Sequence, residues 1–423
     1  MKIAILGSNC PPSGGGGVTT AHLNLFQTLQ SIGTDVRFFT FQDSEVIEKE
    51  IIKGRIIRNG ASRTIRQGIK IICNIIFRLL DRCERAYQTA DILQSFWGVH
   101  RINRELRHFQ PDWIIIPDHS GPGVFLSPPS KSKIILIAHH NPTRFLDQPQ
   151  IPVHSKKDAN VAIWLEELGL EKVDIIVTPS KYMHETFKKT YRYQGPVITV
   201  PNVLDQNLLL NTVASQLRTK MNLPETAPII YIPAAGNPFK GSHMVASAID
   251  SIIKEYGSNP VGFYLATTTG IPAILRNELN KKSNEKVRFY FGDHETYPNH
   301  LSNVKACSVG VSLTLLESYG MTILESQCLG VPFVAFDAQA TPEVIKDGEN
   351  GFLVPPNDVA LLAKQTINLI SNRLAESKHL GPQLAEKHNV LCKRIWSKIF
   401  SKNSYLNQDN PISKSAIRSK DLR

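Results

Sequence analysis

Short apolar runs alternate with segments of helical spacing along most of the chain. In the first half, apolar runs bounded by turn residues occupy 3–6, 35–41, 113–116, 134–138, 175–178 and 197–200. A second series occupies 229–232, 262–266, 288–291, 309–313, 333–336 and 352–354. Between the first two runs, apolar residues recur at helical spacing at Leu23, Phe26, Leu29 and Ile32. Strands that alternate with helices predict parallel sheets, so we expect an α/β protein of two Rossmann-like domains whose sheets face a central cleft.

The two series also predict the domain boundaries. At 423 residues the chain is too long for one ordinary core. We expect an N-terminal domain over 1–203 and a C-terminal domain over 229–380, joined by a linker over 204–228 that has no strand pattern. A helix is predicted over 381–402, and the polar, basic tail over 403–423 lacks periodicity and is expected to be disordered.

Composition and cysteine usage narrow the class of protein. Hydrophobic residues make up 42% of the chain and charged residues 20%, as in globular proteins. The six cysteines are scattered without a C-x-x-C pair, which predicts buried reduced thiols and no metal site. The N-terminus has the pattern of a buried first strand rather than of a secretory signal. Since no apolar run approaches the roughly 20 residues that cross a membrane, we expect a cytoplasmic protein.

Two carboxylates eight residues apart mark the candidate chemistry. Glu317 falls on the loop that follows the strand predicted over 309–313, and Glu325 lies about one turn inside a helix predicted over 321–328. In an open parallel sheet, such a strand-to-helix loop is where ligands bind. Its backbone N–H groups and the positive end of the helix suit a phosphate or a sugar oxygen. Glu325 could accept hydrogen bonds from the two hydroxyls of a ribose.

Two further loops combine glycine or a cation with a strand end. A glycine run that ends at Gly16 and Gly17 opens the first helix, where glycine lets the backbone approach a ligand; a flexible surface loop is the alternative. Lys240 lies in a turn between the first strand of the second series and a helix. A cation at that place could neutralise a departing diphosphate.

The histidines fall into two groups. His139 and His140 follow a buried strand, so we expect them to face the cleft, with a structural loop histidine as the alternative. Asp118 and His119 follow the preceding strand and either line the acceptor side or cap the loop. The remaining histidines in the C-terminal half, His300 among them, are expected at the surface.

The sequence around Glu317 resembles a known family. The matching segments are 315–326, 330–335, 342–345 and 347–356. In this order they are similar to the E-x7-E region of retaining glycosyltransferases of the GT-B fold, the large "group 1" family. The resemblance implies a retaining, metal-independent hexosyl- or pentosyltransferase that takes a nucleotide sugar as substrate and needs no cofactor. It also implies a glycan or lipid-linked acceptor, and a role in cell-surface polysaccharide or glycolipid synthesis.

The same resemblance implies roles for individual residues. Glu325 would hold the ribose, and Lys240, which matches the family's G-R-x-x-x-x-K-G signature, would stabilise the leaving diphosphate. His140, with His139 as the fallback, matches a histidine that contacts the transferred sugar. The implied catalytic residues are His140, Glu317 and Lys240. The implied donor-binding residues are Gly16, Gly17, Lys240, Glu317, Gly320, Met321, Thr322 and Glu325.

One departure from the family pattern keeps other functions open. The family's signature arginine, five residues before the lysine, is Ala235 here. A non-catalytic protein that binds carbohydrate or nucleotide sugar is therefore one alternative. A phosphorylase or epimerase of the same architecture is the other.

The charge of the chain indicates one more partner. The net charge is +11, and twelve basic residues oppose four acidic ones between positions 51 and 107. In this region Ile65, Ile69, Ile72, Ile76 and Leu79 recur at helical spacing, with Arg66, Lys70, Arg78, Arg82 and Arg85 among them. This pattern predicts peripheral docking on an anionic membrane surface, at the inner face of the cell membrane. A core helix with a solvated basic side is the alternative, and no recognised motif indicates a nucleic-acid partner.

Overall fold

Two compact units make up the protein. The computed structural model describes residues 1–10, 16–43, 46, 49–59, 62–146, 152–267, 270–293, 295–371 and 380–401. One unit comprises Met1–Val203 and the chain from Leu391 onward, and the other comprises Leu204–Val390. The predicted tail over 403–423 and the first two glycines of the glycine run, Gly14 and Gly15, lie outside the described residues.

The first unit is built on an eight-stranded sheet. Its strands are β1 (Lys2–Gly7), β2 (Asp35–Thr40), β3 (Lys49–Ile52), β4 (Ile56–Asn59), β5 (Trp113–Pro117), β6 (Lys133–Ile137), β7 (Ile175–Thr178) and β8 (Val197–Thr199). Its helices are α1 (Gly17–Ser31), α2 (Arg63–Asp81), α3 (Gln88–Gln94), α4 (Phe96–Phe109), α5 (Lys156–Leu170) and α6 (Lys181–Thr190), with 3₁₀ turns at Pro122–Val124 and Pro142–Phe145. The strand order is β3-β4-β2-β1-β5-β6-β7-β8, and β1 pairs in parallel with both β2 and β5. The order therefore switches direction at β1, as in doubly wound folds.

Helices cover both faces of this sheet. On one face, α1 contributes Leu25, Phe26 and Leu29 to a core with Ile3 and Ile5. On the other face, α4 contributes Val99, Ile102 and Leu106. Because β1 is buried on both sides, its residues are continuously apolar rather than alternating.

The second unit is a six-stranded, fully parallel sheet. Its strands are β9 (Ile229–Ile232), β10 (Val261–Thr267), β11 (Val287–Asp293), β12 (Val309–Ser312), β13 (Phe333–Phe336) and β14 (Gly351–Val354). Its helices are α7 (Gln206–Asn211), α8 (Leu217–Lys220), α9 (Val245–Tyr256), α10 (Ala273–Lys282), α11 (Tyr297–Lys305), α12 (Met321–Cys328), α13 (Thr341–Val344) and α14 (Val359–Ser371), with 3₁₀ turns at Pro238–Lys240 and Ser242–Met244. The order β11-β10-β9-β12-β13-β14 switches direction between β9 and β12. The predicted α/β class with two Rossmann-like domains is confirmed.

The segment over 204–228, predicted as a linker, packs into the second unit. It carries α7 and α8, and it buries Leu209, Leu217 and Met221 in the core beside β9. Its apolar residues are spaced along two short helices, a pattern too brief to predict from periodicity.

The last described helix is α15 (Pro382–Ser401). Its second half buries Cys392, Trp396 and Ile399 in the core of the first unit. All six cysteines are buried and free, as predicted. Within the described part of the chain, no helix is long and apolar enough to cross a membrane.

Candidate active site

The loop after β12 lies at the strand-order switch of the second sheet and leads directly into α12. Gly320 precedes the helix with φ +100°, and a Cβ added there would lie 2.8 Å from Cγ2 of Val344. Glycine is therefore required at this position both for its backbone conformation and for space. The helix begins without a side-chain cap, so the N–H groups of its first turn, at Met321 and Thr322, are suited to an anionic group.

Lys240 and Glu317, predicted separately from the sequence, are in direct contact. Nζ of Lys240 donates to Oε2 of Glu317 at 2.7 Å and to the carbonyl oxygen of Leu316 at 3.3 Å. The two side chains are 30% and 17% exposed, so the pair is largely shielded but open to a ligand. Oε1 of the same carboxylate accepts from the N–H of Gly320 at 3.1 Å. One carboxylate thus links the lysine to the start of α12.

Gly241 makes this contact possible. It has φ +80°, and an added Cβ would lie 2.3 Å from the carbonyl oxygen of Leu313, the residue that follows β12. The lysine loop therefore lies against the end of β12 at a distance that only glycine allows. This close approach places Lys240 beside Glu317.

Electrostatics keep Glu317 ionised. Burial alone would raise the pKa of this carboxyl, but the Lys240 ammonium and the hydrogen bonds from Lys240, Tyr319 and Gly320 together lower it below its usual value. The result is a fixed carboxylate and ammonium at the positive end of a helix.

Glu325 lies one turn inside α12 and is only 7% exposed. The hydroxyl of Tyr297, the first residue of α11, donates to its Oε1 at 2.5 Å. Burial raises the pKa of Glu325 to about 7, although the Tyr297 hydrogen bond opposes the rise. This carboxyl therefore titrates near neutral pH, unlike Glu317.

A network of polar side chains in the second unit was not predicted. The Tyr264 hydroxyl donates to Oε2 of Glu295 at 2.5 Å and lies 2.7 Å from Nδ1 of His300. Nε2 of His300 lies 3.2 Å from the hydroxyl of Tyr231, whose ring stacks on Tyr264. His300 was expected at the surface, but its side chain is only partly exposed, and its two ring nitrogens lie within hydrogen-bond distance of the Tyr264 and Tyr231 hydroxyls. Burial lowers its pKa to about 4. The available signal was the two tyrosines within apolar strands, because a buried phenol needs a partner.

Ala235, where the family pattern has an arginine, is 1% exposed. Its methyl group belongs to the core that includes Ile232 and Val245. Its N–H donates to the carbonyl oxygen of Ala266 at 3.0 Å. This position is therefore part of the hydrophobic core.

In the first unit, the predicted histidines lie at the carboxyl end of β6. The N–H of His140 donates to Oδ2 of Asp118 at 2.6 Å, and burial raises the pKa of Asp118 to about 7. His139 is more deeply buried, with its ring 5.7 Å from that of His22. Burial lowers the pKa of His139 to about 3 and that of His140 well below its usual value, so both imidazoles are neutral.

Three of these groups have buried polar atoms without hydrogen-bond partners in the described structure: Nδ1 of His140, Nε2 of His139 and Oδ1 of Asp118. Gly16 and Gly17 are exposed, and no described residue apart from neighbours along the chain lies within 4 Å of the position of a Cβ at either. The predicted site residues therefore form two groups, one in each unit. No group of three or more metal-ligating side chains is found among the described residues.

Comparison with solved structures identifies the fold. Sucrose-phosphate synthase from Thermosynechococcus elongatus aligns with a TM-score of 0.69 at 15% identity, over 94% of this chain and 99% of that one. Anabaena HepE in complex with UDP-glucose aligns with a TM-score of 0.61 at 15% identity, over 95% of this chain and 100% of that one. At such identities the likeness establishes the GT-B fold alone.

Comparison of sequences identifies the family. N-acetyl-alpha-D-glucosaminyl L-malate synthase of Bacillus anthracis is 23% identical over 211 residues, which are 49% of this chain and 53% of that protein. The chain spans about half of the length of the first curated relative that it matches, and less than half of the length of the next two. The family model for Glycosyltransferase Family 4 matches residues 15–208, and the model for Glycosyl transferases group 1 matches residues 227–372. The first of these matches lies almost entirely in the first unit and the second lies in the second unit, so the chain carries a Glycosyltransferase Family 4 domain followed by a Glycosyl transferases group 1 domain.

Proposed function

We propose that this glycosyltransferase moves a hexose or pentose from a nucleotide sugar, with retention of configuration, to a glycan or lipid-linked acceptor. The observation that carries the proposal is the Lys240–Glu317 pair beside the uncapped start of α12. An ammonium, a helix N-terminus and a carboxylate meet at this place. The ammonium and the helix end would bind the two phosphates of a sugar diphosphate, and the carboxylate would accept hydrogen bonds from the hydroxyls of the sugar.

The leaving diphosphate sets the main electrostatic task. When the glycosyl–phosphate bond breaks, negative charge grows on the diphosphate, and groups held in place beforehand stabilise it best. Lys240 would supply the cation, and the N–H groups of Met321 and Thr322 would supply the helix end. Because these groups suffice in principle, we expect no metal ion and no cofactor. An oxocarbenium-like state attacked from the leaving-group side fits the retaining chemistry, and we assign no covalent nucleophile.

Glu317 has two functions in this proposal. Before the donor binds, its carboxylate holds Lys240 at 2.7 Å and prevents the ammonium from turning into solvent. With the donor bound, the same carboxylate would accept from a sugar hydroxyl while Lys240 turns toward the phosphates. The lowered pKa of Glu317 keeps it an acceptor throughout the neutral range.

Glu325 would bind the ribose. A carboxyl with a pKa of about 7 and one oxygen already held by Tyr297 offers a second oxygen in a fixed position. Two vicinal hydroxyls of a ribose suit such an acceptor.

The first unit would supply the acceptor side. Neutral imidazoles at His139 and His140 favour uncharged hydroxyl groups over phosphates, since they carry no net charge. The open backbone at Gly16 and Gly17 would let a sugar or diphosphate approach closely. His140 would contact the transferred sugar.

One observation favours a second candidate function. Because Ala235 is part of the core, the cation that other family members have at this place is missing. A protein that binds nucleotide sugars without turnover would tolerate that loss.

The test uses a panel of sugar nucleotides in which the nucleotide is UDP, GDP or ADP. The true donor, present at 100 times its dissociation constant, should stabilise the protein by roughly 2.7 kcal/mol in a thermal shift assay. Release of the nucleoside diphosphate in the presence of that donor then distinguishes an enzyme from a binding protein. Stabilisation without release supports the binding protein, and no stabilisation by any member contradicts both proposals.

A lipid-linked acceptor would bring the enzyme to the inner face of the cell membrane. We propose peripheral association there.

A further inference from the structure

The outward face of α2 is apolar, and none of the residues that the structure describes covers it. Its large exposed apolar residues are Ile65 (44%), Ile71 (59%), Ile72 (59%), Ile75 (54%), Ile76 (47%), Leu79 (80%) and Leu80 (53%). An amphipathic helix on a globular protein normally turns such a face to the core. Patches of this kind on a folded protein mark interaction sites.

The opposite side of α2 is the one that packs. Cys73 and Phe77 are buried against Ala90 of α3, and Ile69 packs on the same cluster together with Val161 of α5. The sequence left two interpretations of this helix: docking on an anionic membrane surface, or packing in the core with its basic side exposed to solvent. In the structure, the few residues that pack form a narrow stripe, and most of the apolar residues remain outside.

Polar contacts fix the helix in this orientation. The guanidinium of Arg66 donates from Nη1 to the carbonyl oxygen of Gln42 at 3.0 Å. Near the other end, Arg78 donates from Nη2 to the carbonyl oxygen of Glu84 at 2.8 Å, and Asp81 accepts from the Ser155 hydroxyl at 2.8 Å. Rotating α2 to bury its apolar face would break these contacts. The exposed face is therefore a stable feature of the unit.

The charges around this face select its occupant. Arg63, Lys70, Arg82 and Arg85 are exposed, whereas the helix's single acid, Asp81, is held by Ser155 and the N–H of Lys157. A second copy would bring a second set of these cations to the same interface, where like charges repel. A bilayer with anionic headgroups offers an apolar interior and the opposite charge.

We propose that α2 lies in the plane of an anionic bilayer, with its apolar face inserted between the acyl chains. The inference deepens the proposed function by naming the surface on which a lipid-linked acceptor is met. It also differs from docking by charge alone. Two of the arginines counted in the basic pattern, Arg66 and Arg78, make contacts within the protein, so apolar burial should dominate. Salt should weaken the binding without abolishing it.

The first experiment is co-sedimentation of the full chain with phosphatidylcholine vesicles that either contain or lack phosphatidylserine, an anionic lipid. We expect the parent to bind the anionic vesicles. The combined variant Ile72→Ser/Ile76→Ser/Leu79→Ser should lose at least tenfold in partitioning. A matched control is Ile274→Ser, which changes an isoleucine that is 85% exposed in the second unit and should bind as the parent does.

A second measurement distinguishes insertion from surface attraction. Tryptophan at position 79, introduced as Leu79→Trp, should shift its emission to shorter wavelength on anionic vesicles and should be quenched by brominated acyl chains. An unshifted, unquenched emission with bound protein would mean attraction by charge alone and would overturn the insertion proposal.

Two further outcomes would also overturn it. One is equal binding of the parent and the triple serine variant, or no binding by the parent. The other is a dimer of the parent that the triple variant abolishes, since that result assigns the face to a second copy. Thermal stabilisation by sugar nucleotides, measured without vesicles, should be the same for parent and triple variant. If the protein does not bind vesicles but still binds a donor, the membrane proposal is wrong and the proposed function remains. If it binds vesicles but no donor, the proposed function is wrong and the membrane proposal remains.

Discussion

Gly241 offers a sharp test of how the site is positioned. At φ +80°, alanine would have to adopt a left-handed backbone conformation, which costs roughly 1–2 kcal/mol. Its Cβ would also lie 2.3 Å from the carbonyl oxygen of Leu313. Because unstrained carbon–oxygen contacts begin at about 3.3 Å, the lysine loop would have to move away from β12 by about 1 Å. Lys240, the preceding residue, would move with it.

A displacement of this size should lower both the catalytic rate and the stability of the second unit. A misplacement of about 1 Å at a reacting group can lower the rate by about 10²-fold. We therefore expect Gly241→Ala to lose about 10² in kcat, and the free energy of unfolding of the second unit to fall by a few kcal/mol at most (about 2–3 kcal/mol, from the backbone and contact costs together).

The matched control is Gly348→Ala in the same unit. Gly348 has φ +78°, and nothing lies within 4 Å of an added Cβ, so this variant has the backbone cost without the collision. Its thermal midpoint should fall while its kcat stays near that of the parent. Kinetics would be measured as nucleoside diphosphate release at saturating donor, and stability by calorimetry. If Gly241→Ala keeps kcat within threefold of Gly348→Ala, the position of Lys240 is not critical and the reasoning is refuted.

Three other predictions test the chemistry of single groups. Lys240→Met should lower kcat by about 10²-fold, because one charge-assisted contact to the diphosphate is lost. The same change should raise the pKa of Glu317, which loses its ammonium partner. A parent-like kcat across pH 5 to 8 (roughly the neutral range) would mean that the diphosphate is neutralised elsewhere. Glu325 has a pKa of about 7 against an ordinary value of 4.5, so its favourable contribution to stability is present below the ordinary value and is lost as pH rises through about 7. Glu325→Gln should therefore raise the thermal midpoint relative to the parent more at alkaline than at acidic pH, and a constant difference would contradict the buried carboxyl. Burial of all six thiols predicts slow labelling of the native protein by a thiol reagent and complete labelling after unfolding, whereas rapid native labelling of even one cysteine would contradict it.

The sequence predicted those elements whose signal is local. Each predicted strand is a short, mainly apolar run bounded by turn residues, and each is present in one of the two sheets. The pair β3 and β4 was missed, because their residues mix charge with isoleucine and the two strands form a short antiparallel edge. The helix over 321–328 was found with correct ends, because a glycine stands before and shortly after it.

The candidate site was predictable only in part, for a different physical reason. Glu317 and Lys240 could each be singled out by their place after a strand. Their contact depends on the close approach at Gly241, which no local pattern encodes. Tyr231, Tyr264 and His300 lie on three elements that are far apart in sequence. No one of these segments alone predicts that their polar atoms form hydrogen bonds with one another.

The same distinction applies to α2. Its periodicity correctly indicated an amphipathic helix, but periodicity cannot say which face is covered. That depends on Cys73 and Phe77, which pack on α3, and on Arg66, whose hydrogen bonds lie with residues outside the helix. The basic residues that suggested docking turned out to be partly structural. The apolar residues that suggested a core turned out to be the exposed ones.

Ala235 changes the charge balance expected at the site. Its methyl group lies in the core, and its N–H is bonded to β10, so the backbone here is fixed by packing rather than by a ligand. In the proposed function, the positive charge for a diphosphate would come from Lys240 and from the start of α12, whose dipole is equivalent to about half a charge. In the ligand-free protein, Glu317 already neutralises that lysine at 2.7 Å. In the function proposed above, a bound donor would replace Glu317 as the anionic partner of Lys240. A site with a second cation would not need this exchange, so the rate in this enzyme should depend on Lys240 and Glu317 together rather than on either alone.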